Sequence, residues 1–142
     1  MATNRMDRFA PFIGTWNTTG EVLPTPNSPA TTLAATDTYR WLPGRHFIVH
    51  EADARFGAEV ARSLEIFGYD AKRKKYLAHA YDDRGTREEF EVKLDGARWT
   101  ILGERVRFSG RFSPDRNRLT GSWETRTKRG WIPWIKLQLV RA

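Results

Sequence analysis

The sequence predicts an all-β protein: one up-and-down antiparallel β-barrel of about ten strands, with a short N-terminal helical plug. Three observations carry that expectation. First, apolar and polar residues alternate with period two: Glu88, Phe90, Val92 and Leu94 against Arg87, Glu89, Glu91 and Lys93, then Val106, Phe108, Gly110 and Phe112 against Arg105, Arg107, Ser109 and Arg111. Each run has one wet and one buried face, and slipping its register by one residue would bury a row of charges. Second, turn residues punctuate the chain at short, regular intervals from Pro43-Gly44 onward. Third, no gap between strand-like runs is long enough for the crossover helix that parallel strands need.

Taken in order, the elements fit that plan. Asp7 to Ile13 carries Phe9, Phe12 and Ile13 on helical spacing, and Pro11 limits it to a turn or two, so it reads as a plug on one barrel end. Gly14-Thr15-Trp16 opens the first strand, whose indole would cover an end that backbone cannot seal. Strand-like runs then occupy 15–23, 31–42, 46–55, 60–69, 75–81, 87–94, 98–102, 105–112, 118–126 and 131–140. The proline-rich stretch 24–29 is a loop and a candidate lid. Asp95-Gly96 is the strongest hairpin signal, because a type I′ turn needs a positive φ that glycine adopts freely. With 142 residues the chain is one domain, 1–142.

Composition narrows the function classes. There is no cysteine, which removes disulfides, thiolate metal sites and thiol nucleophiles, and suits a reducing compartment. No stretch approaches the length of an apolar membrane span and the first residues lack a signal-peptide core, so a cytoplasmic protein is expected. The net charge of +7 invites a nucleic-acid reading. Its densest runs, Lys72 to Lys75 and Arg126 to Arg129, fall between strands, where solvated hairpin tips explain them, and no specific nucleic-acid partner is expected.

Gly14-Thr15-Trp16 resembles the glycine-x-tryptophan signature of calycins, the superfamily of lipocalins, fatty-acid-binding proteins and nitrobindin-like barrels. Trp41 to Ile48, Gly68-Tyr69-Asp70 followed by basic residues and Tyr76, and Tyr81-Asp82-Asp83-Arg84-Gly85 are together similar to a bacterial lipocalin-like domain family of unknown function, numbered fifteen seventy-nine. The resemblance runs from about residue 9 to 85 and implies an interior cavity with no assigned activity. It also implies that a basic side chain from the last strand packs across the signature tryptophan; Arg141 is the residue placed to do so for Trp16. Nitrobindin-like relatives hold haem through a histidine near the C-terminus, but residues 131–142 contain none, so no cofactor is expected and haem is disfavoured.

A ten-strand barrel is wide enough to leave space for a small ligand. Tyr39, His50, Glu88, Phe90, Phe108 and Trp123 are the candidate ligand-binding residues, with Asp37 a further polar group on the inner face. Trp123 shares its phase with Gly121, whose small size would leave room inside. The phase of 46–55 is ambiguous: His46, Ile48 and His50 share one face, and Phe47, Val49 and Glu51 the other. If the first set points inward, His50 and Glu88 face one another as a minimal acid–base pair. His79 alternates with Leu77 and Tyr81 and is a further candidate for an inward position. No metal cluster is legible in the spacing. A binding protein for a small, largely apolar molecule leads; an isomerase or cyclase in the same cavity, and a basic-surface binder, are the alternatives. Ile132, Trp134 and Val140 would form an apolar outer strip, a candidate homodimer face, if that phase of the last strand lies outside.

Overall fold

The computed structural model describes residues 4–142 and is a closed antiparallel barrel of ten strands. A 3₁₀ segment, Asp7–Phe12, precedes β1 (Gly14–Val22), β2 (Thr31–Trp41), β3 (Phe47–Phe56), β4 (Glu59–Asp70) and β5 (Lys75–Asp82). There follow β6 (Arg87–Asp95), β7 (Arg98–Leu102), β8 (Val106–Phe112), β9 (Arg118–Thr127) and β10 (Gly130–Arg141). Each strand pairs with its sequence neighbours, and β1 closes on β10 with Trp16 opposite Arg141. Closure leaves no unpaired edge, which an open meander would expose to other chains.

One end of the barrel is sealed. Phe9 and Phe12 drop from the 3₁₀ segment into the lumen and meet Phe67 and Trp99 edge-on, with Phe12 4.6 Å from Trp99 and Phe9 5.5 Å from Phe67 between ring centres. Such offset geometries suit the ring quadrupoles and add to the burial itself. Trp16 donates its indole N–H to the Phe12 carbonyl at 2.8 Å, tying the plug to β1. The Arg141 guanidinium lies 4.1 Å over the Trp16 ring and donates to the carbonyls of Ile13, Pro11 and Arg116. Those carbonyls end the plug and the β8–β9 turn, so one side chain closes three backbone ends. Gly14 fits beneath it: its φ is +130°, and a Cβ there would stand 3.0 Å from the guanidinium.

The other end is a mouth ringed by the β1–β2, β3–β4, β5–β6, β7–β8 and β9–β10 connections. Lys72 to Lys75 sits at the floor end, between β4 and β5, whereas Arg126 to Arg129 sits at the mouth. The two basic runs therefore lie at opposite ends and form no joint patch. On β10 a bulge between Pro133 and Ile135 shifts the phase. Trp134 consequently packs on the mouth cluster of Val22, Leu33, Ala54 and Ile135, while Val140 lies on the outer phase beside Asn17 and Arg118. The apolar outer strip expected from Ile132, Trp134 and Val140 is not formed, because alternation cannot reveal a bulge.

Candidate functional site

The inner face of the barrel, between floor and mouth, holds a buried polar cluster. On β3 the phase resolves with Ile48, His50, Ala52 and Ala54 inward, because β2 and β4 flank it with Tyr39 and Glu65 directly opposite His50. His46 falls outside the strand, in the exposed β2–β3 turn. The His50 ring stacks on Tyr39, centroids 4.0 Å apart and planes 6° from parallel. Its Nε2–H donates to Asp37 Oδ1 at 2.6 Å and its Nδ1–H to Glu65 Oε1 at 3.3 Å. Asp37 accepts a second hydrogen bond, from the Thr18 hydroxyl, on its other oxygen.

Four strands, β1 to β4, thus contribute one network. Burial alone would lower the His50 pKa, but the hydrogen bonds to Asp37 and Glu65, then their charges, outweigh it and raise the value from 6.5 to about 9. The imidazolium is the resting form at neutral pH, which makes both ring nitrogens donors and both of them engaged. Tyr39 keeps its proton firmly: burial, then the negative charges of Asp37 and Glu65, push its pKa well above the ordinary value. Tyr39 is 7% exposed, and no buried side-chain oxygen or nitrogen among the described residues lacks a partner. Its hydroxyl takes part in no hydrogen bond within the described residues, so it opens onto solvent in the lumen.

Side-chain exposures of 17% for His50, 11% for Asp37 and 15% for Glu65 leave the cluster partly accessible to solvent. Above it, β2 to β5 present small inward residues, Ala35, Ala52, Ala54, Ser63 and Ala80. Across from them, β6, β8 and β9 present the rings of Phe90, Phe108 and Trp123, with Phe108 5.3 Å and Phe90 6.4 Å from Trp123. The Gly121 position leaves no hollow of its own. The Phe108 ring occupies that space, and a Cβ on Gly121 would stand 2.5 Å from it.

Other expected positions come out differently. Glu88 points inward and is partly buried, but it is two strands beyond Glu65 in the same cross-strand row, with Ala80 between. It is not the partner of His50. The sequence reading paired them because inward phase alone says nothing about which strands are adjacent in that row. Asp37 and Glu65 are the carboxylates that hold the imidazole. His79 is on the outer face, 3.2 Å from Glu89. Glu65 and Thr18 were missed, although counting outward in equal steps from the turn between Phe56 and Glu59 brings His50 opposite Glu65.

With both His50 nitrogens committed and His46 and His79 outside the lumen, none of the three histidines offers a free nitrogen to a haem iron there. No group of three or more metal-ligating side chains that would hold an ion occurs among the described residues. A trough of about 720 Å³ crosses the outer wall over β2 to β5, along Thr36, Thr38, Glu51, Asp53, Arg62 and Tyr81. It is a shallow, solvated face, crossed by exposed ion pairs between Arg40 and Glu51 and between Arg62 and Asp53.

Residues 3–110 match the family model described as "Protein of unknown function (DUF1579)", and the chain belongs to that family. No curated protein matches it. Among solved structures, Rv2717c from M. tuberculosis superposes with a TM-score of 0.73 at 12% identity, covering 100% of this chain and 99% of its own. A zebrafish ileal bile acid-binding protein, complexed with cholic acid, superposes with a TM-score of 0.60 at 11% identity, covering 94% of this chain and 100% of its own. At such identities the likeness is one of fold, a calycin-like barrel. No described helix is long and apolar enough to cross a membrane.

Proposed function

We propose that the protein binds a small, largely apolar molecule in the upper lumen, between the alanine wall and the rings of Phe90, Phe108 and Trp123. The observation that supports it is the Tyr39–His50–Glu65 cluster, polar and only partly screened from solvent on the inner face of a closed barrel. Apolar walls supply burial at roughly 25 cal/mol per Å², and a few polar groups orient the guest. Tyr39, Glu65 and Glu88 are those groups, with His50 holding Glu65 in place. The zebrafish barrel of the same fold is complexed with cholic acid, a small amphipathic molecule, which supports the reading by analogy alone. The absence of cysteine favours a cytoplasmic setting.

An isomerase or cyclase in the same cavity is the second reading, and His50 lying inward beside a carboxylate favours it. Against it, a general base must offer a free ring nitrogen to substrate, and here both face carboxylates. Binding is the better account. Native mass spectrometry of freshly purified protein, followed by titration with a lipid and aromatic panel read by tryptophan fluorescence, tests it. A retained mass or a saturable response that Trp123→Phe alters is expected. An empty protein that binds no member of the panel overturns the reading.

A further inference from the structure

The donors and acceptors of the lumen are not balanced. The His50 N–H groups are spent on Asp37 and Glu65, and the Thr18 hydroxyl is spent on Asp37. What remains uncommitted in the cross-strand row Tyr39, His50, Glu65, Ala80 and Glu88 is the second oxygen of Glu65, the carboxylate of Glu88 and the Tyr39 hydroxyl. Tyr39 is more than nine-tenths buried, and its hydroxyl, with no partner among the described residues, keeps contact with solvent and is free to take a guest's hydrogen bond.

The charges lean the same way. Three carboxylates, from Asp37, Glu65 and Glu88, point into the lumen against one imidazolium, whereas no lysine or arginine occupies an inward position on β2 to β9. Arg141, on β10, is spent on the floor. The surplus of cations lies outside: from Arg98 onward there are eleven basic residues and three acidic ones. The protein therefore carries a positive exterior around a negative interior. An anionic headgroup, drawn to the outside, finds nothing inside to pair with it. A cation is repelled by the exterior, yet an ammonium's donors match the acceptors left free in the lumen.

We propose that the guest is a cationic amphiphile, an apolar body bearing an amine, whose ammonium is held by Glu65, Glu88 and Tyr39. This rests on the lumen-binding reading above. The apolar body lies against Phe90, Phe108 and Trp123, and the partly exposed Trp123 ring adds cation–π attraction to any charge that passes it.

A matched series tests the inference: dodecylamine, dodecanol and dodecanoate, each below its micelle concentration, titrated into the full chain by calorimetry with tryptophan fluorescence in parallel. Dodecylamine is expected to bind at least about tenfold more tightly than dodecanoate, the scale of one charge-assisted hydrogen bond. Glu88→Gln is expected to narrow that ratio several-fold. Glu89→Gln, on the outer face of the same strand, is expected to leave it unchanged. Because the overall charge of +7 favours the carboxylate, non-specific surface binding would give the opposite order. Dodecanoate or dodecanol binding as well as the amine overturns the charge assignment while leaving the lumen as a binding site. Binding of none of the three, with no change in fluorescence, overturns both.

Discussion

The two ends of this barrel are built from the same alternation and differ in what fills them. At the floor, Phe9, Phe12, Trp16, Phe67 and Trp99 interlock, and the plug that supplies two of them is fastened by Trp16 and Arg141. Toward the mouth, β2 to β5 turn alanines inward, and of the rings opposite them Phe90 and Phe108 are buried while Trp123 keeps contact with solvent. A closed ring of ten strands encloses more volume than its own side chains fill. The chain interlocks large rings across the floor and, above it, sets small inward residues on β2 to β5 against rings on β6, β8 and β9. The tightest ring packing is thus set apart from the small-residue wall along the barrel axis, with the His50 network between them.

The widest separation between the ends is expected from ring deletion. Phe12→Ala removes a fully buried ring that touches Tyr39, Phe67, Trp99 and Phe112. It is expected to cost about 3–5 kcal/mol, the range for large aromatic truncations in closely packed cores. Urea unfolding measures it. A loss under about 1 kcal/mol would mean that the plug is dispensable and that the floor is no more essential than the mouth.

The boundary has its own signature, in pH. The folded pKa of His50 is about 9 and its unfolded value 6.5, so the native state binds the proton more tightly. The resulting stability is fully present below pH 6.5 and is lost as pH rises through 9, an amount on the order of 3 kcal/mol. Unfolding free energies at pH 6, 7.5 and 9.5 should fall accordingly for the natural chain. For His50→Gln the curve should be nearly flat across that window, from a lower starting point, because Asp37 and Glu65 then face one another without a cation between them. Parallel curves for the two proteins would show that the network carries no such linkage.

Much of this was legible in the chain and some was not, for a physical reason. Period two in 87–94 and 105–112 assigns each residue to a face, and every strand was found within a residue or two of its ends. Glycine-x-tryptophan and the terminal arginine located the floor. What alternation does not carry is the offset between strands, which twist and closure set together. That offset decides that His50 meets Glu65 and Asp37 rather than Glu88. The bulge at Pro133 is invisible for the same reason: it changes the phase without changing the residue types. Glu65 was the recoverable case, since its hairpin register follows from the position of the Gly57 turn.

The smallest effect should come from the mouth, and it separates function from fold most cleanly. Trp123 touches Phe90 and Phe108 and is partly exposed, so the collapse around it is loose and water already shares its surface. Trp123→Ala is expected to cost about 1 kcal/mol, well under the range for a fully buried indole, and to lower the melting temperature by only about 3 °C. Ligand binding in the upper lumen should weaken far more than stability does, because the lost ring is wall for the guest and only marginal packing for the barrel. Thermal melts and the dodecylamine titration on the same preparation measure both. If the variant unfolds as readily as Phe12→Ala, the mouth is core like the floor, and the vacancy inferred over the alanine wall is not there.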